Sequence, residues 1–522
     1  MHNVTTLILS CVKNRQFHTF VYVLIFAITF GCWVSACSFQ KSKPESGLLR
    51  VQVSSEPVTL DPSLVEDGLG FRILVNIMDG LMAYDNQGVL QKSLAESYKV
   101  TNQGRTYRFK IVKNRKWSDG VPLELSHFIF GLKRALDPKT GSKLSSLLKG
   151  IRRYYIEKDE LVFELTRADP VFLQYLSLPV TFPLREDVLN KTQQKWDPLR
   201  NKDVPTIGDY QVASYKRDQS ILLKAREHVD QSSPQKVLIR VVQDESTGAS
   251  LFEKNEIDVL SRIPSYDLKK YQKMDGYQNT PFLATYFLGF NLKQKPFDQK
   301  IYRQAVAGAI HKKELVSLLA TGEEPASSWI PRGLNGHYDY IENNQGLDPR
   351  FANAVEQVKK QKLSVTVSLG FDTSGRNSMI MEKIQSDLKK NLGWQVELKN
   401  TDWKTHVRSI YSDPPMIYRF GWSTPVLDSL IFISPFVSGD PFTFTKLSQK
   451  SFDEIVGRVR DSKTDASRVT AISEAQRWIV EDEVWVVPVY HYVSTQVVGQ
   501  RVSRYLINPL GHTRWSEVRF KP

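Results

Sequence analysis

Residues 106–138, TYRFKIVKNRKWSDGVPLELSHFIFGLKRALDP, pass through three kinds of local structure in one short run. Tyr107, Phe109 and Ile111 alternate with Arg108 and Lys110, the period-two pattern of a half-buried strand. Trp117-Ser118-Asp119-Gly120 follows as a turn, with Trp117 able to pack as an aromatic plug and Gly120 supplying backbone freedom. Ser126 stands where the N-cap of a helix belongs, and that helix runs through Leu136 until Asp137-Pro138 stops it. Strand, turn and helix in such close succession predict a mixed α/β architecture.

The same texture continues outward. Upstream, LLRVQVSS (48–55) reads as a short buried strand closed by Glu56-Pro57 and Asp61-Pro62, and 71–82 has helical apolar spacing at Ile73, Leu74, Ile77, Met78 and Leu81. Downstream, YYIEKDELVFEL (154–165) reads as a hairpin around Lys158-Asp159, and Asp169-Pro170 opens a helix. Three strands follow, YQVASY, ILLKAR and VLIRVV, before a helix that ends at Asn255. A helix is predicted over about 300–319, with Arg303 able to reach an acid, and another over 377–391. LSVTVSLGF, WQVELKN and MIYRFGW read as strands, and a last long helix over 466–481 gives way to VWVVPVYHY and STQVVGQRV. No internal repeat or low-complexity segment interrupts this order.

At 522 residues the chain is too long for one core, so two or three lobes are expected. One stretch could meet a membrane: FVYVLIFAITFGCWV (20–34) carries no charge and follows Lys13 and Arg15, the layout of an export signal. The alternative is an uncleaved N-terminal membrane helix. Val34-Ser35-Ala36-Cys37 resembles a bacterial lipobox, which would make Cys37 the lipidated first residue of the mature chain. Cys11 and Cys32 would leave with the leader, so no thiol would remain for disulfides, metal ligation or nucleophilic attack. The net charge is +14, and removing Lys13 and Arg15 leaves +12. Pairs such as Lys312-Lys313, Lys359-Lys360 and Lys389-Lys390 lie on amphipathic helices, so the charge reads as solvated faces rather than a nucleic-acid surface.

Catalytic constellations are missing from the sequence. HExxH, CxxC, GxSxG and GxxxxGK[ST] do not occur, and the nine histidines are scattered, so neither a metal, a cofactor nor an enzyme is expected. Ser146-Leu147-Leu148-Lys149 beside Lys139-Thr140-Gly141 echoes penicillin-recognising enzymes, but the two motifs stand in the wrong order, a chance match. Glu323-Glu324 and Glu481-Asp482-Glu483 read as surface and helix-end charge.

Taken in order, EPVTLDPS (56–63), NIMDGL (76–81), LAESYKV (94–100), the opening stretch, IGDYQVASY (207–215), NEIDVL (255–260), FLGFNLKQKPFDQKIYRQAVAGAIHKKELV (287–316), YRFGW (418–422) and EAQRWIVEDEVWVVPVYH (474–491) resemble the family 5 extracellular solute-binding proteins. These are the oligopeptide- and dipeptide-binding components of ABC importers. His127 and Asn255 stand where that family often has Asp and Gly.

The resemblance implies an α/β, two-lobed periplasmic-binding-protein clamshell (class II, large, with an inserted extra subdomain). The implied divisions are a lipoprotein signal peptide at 1–36, a polar tether at 37–47, and lobe I at 48–82, 206–300 and 488–522. The inserted subdomain would occupy 83–205 and lobe II 301–487, with a hinge near Gln299 and Val487-Pro488. Peptide binders of the family hold the ligand backbone as an added strand. The matching stretches are Gly68-Leu69-Gly70 on one lobe and Gly421-Trp422-Ser423 on the other. Family members carry an aspartate three residues after this tryptophan to neutralise the ligand's amino terminus; here that position is Pro425. Asp428 is the nearest replacement. Arg419 would accept a ligand carboxylate or else form an ion pair inside the lobe.

The function so implied is that of a monomeric, lipid-anchored, extracytoplasmic binder of peptides or peptide-like solutes, serving an ABC permease, with no nucleic acid involved. The alternatives are a non-peptide solute in the same fold (a metal chelate, an opine or a cell-wall fragment), which Pro425 favours, and a surface sensor or adhesin without a transport role.

Overall fold

The computed structural model describes residues 45–361, 366–373, 375–440, 443–445, 447–462 and 464–522. The expected leader, most of the tether and Cys37 lie outside them. Among the described residues no helix is long and apolar enough to cross a membrane.

Residues 47–522 form one compact unit whose backbone is a sheet of 11 strands. Two long antiparallel strands, Tyr277–Phe290 and Val486–Val498, are its spine; VWVVPVYHY and STQVVGQRV thus belong to one strand rather than two. On one side of the spine lie Ile417–Ser423, Val367–Asp372 and Val396–Thr401. On the other lie Val259–Leu260, Leu48–Val53, Lys236–Val241, Ser220–Ala225 and Tyr210–Lys216. The spine's ladder is irregular between Pro281 and Thr285 and between Tyr286 and Phe287. Proline has no N–H to give a ladder, so a bulge is where it is tolerated inside a sheet. Pro488 faces Phe287 at the second break, whereas Gln299 is the N-cap residue of the helix that follows.

A separate four-stranded antiparallel sheet is made by Ala95–Thr101, Thr106–Ile111, Glu160–Leu165 and Ile151–Glu157. The predicted hairpin is its last pair, and Lys158 turns it with φ 56°. Behind it runs the Leu125–Leu136 helix. Its N-cap is Glu124 and not Ser126: the Glu124 N–H donates to His127 Nδ1 at 3.0 Å, closing a reciprocal capping box. Trp117, fully buried, donates its indole N–H to the same Nδ1 at 3.3 Å. A neutral imidazole thus accepts both donors where the resembled family often has Asp, and burial, which lowers the His127 pKa, favours the neutral form. Asn255 is explained as directly. Its φ is +58°, a left-handed conformation that glycine adopts freely and asparagine tolerates.

Three helices differ from the sequence reading. The one expected over 71–82 spans Gly68–Ile77, because the Asp67 carboxylate caps Gly70 at 2.7 Å and the chain must straighten before Gly80. A Cβ on Gly80 would stand 2.4 Å from the Leu176 carbonyl oxygen, so only glycine permits that approach. The helix expected over 300–319 is two, Lys300–Ala309 and Lys312–Leu319, broken where Asp387 takes the His311 N–H at 3.1 Å. The last long helix is α-helical over Asp465–Arg477 and ends in a wider π turn, Trp478–Asp482. Arg303 does reach its acid, Glu483, at 3.4 Å, and also donates to the carbonyls of Phe297, Glu483 and Val484.

Candidate functional site

Beside the spine's irregularity lies a cavity of about 530 Å³, inside the range of small-ligand sites. Its wall draws on segments far apart in sequence: Gly68 and Phe71 at the start of a helix, residues 143–150 and 167–175 beside the four-stranded sheet, Phe282 at the spine's break, and 422–425. Phe71, Leu144, Leu147, Phe282, Trp422 and Leu510 make much of it apolar. His512 stacks on Phe71 with ring centroids 6.0 Å apart, and burial, with Arg72 adding, pulls its pKa down to about 3, so it brings no charge.

Trp422 sits on this wall, its indole N–H donated to the Ile431 carbonyl at 3.0 Å and its ring edge-on to Phe444 at 5.3 Å. The strand that carries it has an open edge. Thr424 donates to the Leu283 carbonyl (3.3 Å) and Asn291 to that of Met416 (3.1 Å), so the even-numbered residues face the spine. Antiparallel alternation then turns the main-chain groups of Arg419, Gly421 and Ser423 the other way. On that side Val367–Asp372 pairs only with Ile417 and Tyr418, and His406 Nε2 donates to the Arg419 carbonyl at 2.8 Å. The spine strand pairs with Gly421 and Ser423 from its own side, through Tyr286 and Ala284; on the side away from the spine, among the described residues, no strand pairs with either of them.

Gly68-Leu69-Gly70 is placed differently. It forms the first turn of a helix; Gly68 borders the cavity, while Gly70 is packed so tightly that a Cβ would lie 2.7 Å from Val65 Cγ2. Its amide is taken by Asp67, so this stretch offers no extended edge. Arg419 is buried away from the cavity wall, ion-paired with Asp372 and stacked over the rings of Tyr286 and Trp403 at 5.2 and 5.7 Å. The ion pair inside the lobe is thus the arrangement present. Asp428 is likewise buried and engaged: it holds Arg468 at 2.7 Å and caps the Leu430 amide at 2.8 Å. Pro425 does face the cavity. Its ring occupies wall where the resemblance leads one to expect a carboxylate.

The acids on the wall are Glu66, Asp169 and Asp440. Glu66 pairs with Lys143 at 2.6 Å, and Asp440 also has a partner. Asp169 accepts the Val171 N–H at 2.9 Å and, among the described residues, forms no ion pair. Burial raises its pKa, with Asp428 adding to the effect and the Val171 N–H, Arg167 and Arg460 opposing it.

Residues 89–444 match the family model described as "Bacterial extracellular solute-binding proteins, family 5 Middle". The chain belongs to that family. Among its curated relatives, the dipeptide-binding protein DppE of Bacillus subtilis is 24% identical over 90% of this chain and 92% of its own length. A probable deoxycholate-binding periplasmic protein of Escherichia coli, YgiS, is also 24% identical, over 91% and 94%. In structure the chain is similar to an oligopeptide-binding protein of Borrelia burgdorferi, with a TM-score of 0.78 and 23% identity over 91% of this chain and 100% of that one. The fold is therefore the α/β two-lobed clamshell of periplasmic binding proteins.

Within this family-5 frame the structure brings Gly68, Trp422 and Ser423 to one cavity and leaves Arg419 and Asp428 in the core beside it. The sequence reading passed over Asp169 and Arg460. Asp169 stands before a proline and reads as an ordinary helix-start acid, and Arg460 lies on a helix of alternating charge; nothing in their spacing shows that they share a wall.

Proposed function

We propose that this family-5 protein captures peptides or peptide-like solutes in the cavity beside Trp422 and delivers them, outside the cytoplasm, to the permease of an ABC importer. The observation that carries the reading is the open edge at Gly421 and Ser423, where a ligand main chain can add as a strand, affinity coming from backbone hydrogen bonds that are blind to side-chain identity. The peptide-binding names of relatives such as DppE support it. In this reading closure flexes the spine near Pro281–Thr285 and Tyr286–Phe287, where its ladder is irregular, which puts the first crossing between lobes there rather than near Gln299 and keeps the second near Val487-Pro488. Cys37 carries the lipid that keeps the protein at the membrane, and the partner's ATPase supplies the energy.

Ser423→Pro tests the strand edge. The lost N–H points away from the spine, so the sheet keeps its bonds. Calorimetric affinity for a pool of short peptides is expected to fall about tenfold, the worth of one hydrogen bond near 1.4 kcal/mol, with little change in melting temperature. An unchanged affinity would remove the strand edge from the account.

Pro425 and the similarity to YgiS, a probable deoxycholate-binding protein, favour a second reading, a non-peptide solute in the same cavity. Native mass spectrometry of the protein recovered from cells separates the two: a ladder of peptide masses supports the first, a single non-peptide mass the second.

A further inference from the structure

In the peptide reading, a ligand that adds along Gly421 and Ser423 with its amino terminus toward Ser423 enters a cavity whose wall holds Pro425 and, at that position, no acid. A buried ammonium without a counter-charge is strongly unfavourable. Glu66 is held by Lys143, Asp428 by Arg468, and Asp440 already has a partner. Asp169 differs from all of these. It lines the cavity, half-buried, and its Oδ2 oxygen accepts no hydrogen bond among the described residues.

We propose that Asp169 receives the ligand's ammonium, so that the occupant is a short peptide with a free amino terminus, anchored from the loop before Phe172–Tyr175 rather than from the residues after Trp422. This inference rests on the peptide reading above. The local duty of Asp169, capping the Val171 amide, needs one neutral acceptor; asparagine or serine would serve. A full negative charge is surplus to that duty. It is also costly where it stands, because the site is partly desolvated and Asp428 lies close by. An arriving ammonium offsets both costs. Arg167 and Arg460 share the wall and help to keep the carboxyl ionised, yet neither comes within ion-pair distance, so the position stays open to a ligand.

The test compares a pool of tripeptides to pentapeptides with the same pool N-acetylated, titrated into the wild-type protein and into Asp169→Asn, which keeps the Val171 cap and removes the charge. Wild type is expected to bind the free-amine pool roughly 10- to 100-fold more tightly than the acetylated pool. In Asp169→Asn the free-amine pool is expected to fall to the acetylated level while the acetylated pool binds as before. If the variant keeps the wild-type preference, Asp169 is not the anchor. If wild type binds both pools equally, no amine is recognised and the anchor fails while the peptide reading stands; if wild type binds neither pool, the peptide reading falls with it. Should Asp169→Asn not fold, Asp169→Ser, which also keeps an acceptor for the Val171 amide and removes the charge, carries the same comparison.

Discussion

Asp258→Ala is expected to cost about 3–5 kcal/mol of folding stability, the range for removing one partner of a buried ion pair. The Asp258 side chain is 3% exposed and accepts from Arg50 through N, Nε and Nη2 at 2.8, 3.0 and 2.7 Å and from Arg501 through Nε and Nη2 at 2.6 and 2.7 Å. One carboxylate thus joins the strand Leu48–Val53, the segment entering Val259–Leu260 and the loop after Val486–Val498, and its loss strands two guanidinium groups. Burial pushes the Asp258 pKa up, but the hydrogen bonds from Arg501 and Arg50 and their charges outweigh it, so the folded-state value lies below the ordinary one. A depressed carboxyl pKa contributes stability that is fully present above the unfolded value near ~3.9 and is lost as pH falls through the folded value. Urea unfolding at pH 7 should show the full gap between wild type and variant, and unfolding near pH 3 a smaller one. A gap that stays constant with pH would mean the ion pairs are not its source.

Gly276→Ala is the second large effect, expected at about 3 kcal/mol, the upper end for overpacking, because the obstacle is backbone. A Cβ at Gly276 would stand 1.9 Å from the Val498 carbonyl oxygen, and the Val498 N–H already donates to the Gly276 carbonyl at 2.9 Å. No rotamer relieves that contact, so the two spine strands must part at this end. Since they are the strands that join the two sides of the sheet, the damage should reach ligand binding as well as stability. A melting temperature equal to that of wild type would mean the strands have slack there.

Much of the fold was legible because its strands and helices are written in short-range patterns. The hairpin at Lys158, the strand at 106–111 and the buried Trp117 follow from alternation and turn chemistry alone. Boundaries set by distant partners were not legible. The helix break at Ile310-His311 is made by Asp387, and the capping box at Glu124 is closed by a histidine that usual capping preferences do not favour.

The site divides in the same way. The motif pointed to Trp422 and Ser423, which do line a cavity, and Pro425 beside them already showed that no acid stands three residues after the tryptophan. Sequence distance, however, ranks Asp428 nearest to that proline, and proximity along a chain says nothing about which way a side chain points. Only the packing turns Asp428 toward Arg468 and Arg419 toward Asp372, and brings Asp169 and Arg460, 291 positions apart, to one wall. By itself, then, the sequence determined the α/β alternation, because periodicity is a local property of the chain, and through the ordered motifs of its family resemblance it pointed to the clamshell and to the segment at Trp422 that lines the cavity. The tertiary structure alone decided which charges are consumed in the core and which face the cavity, because ion pairing depends on distance in space.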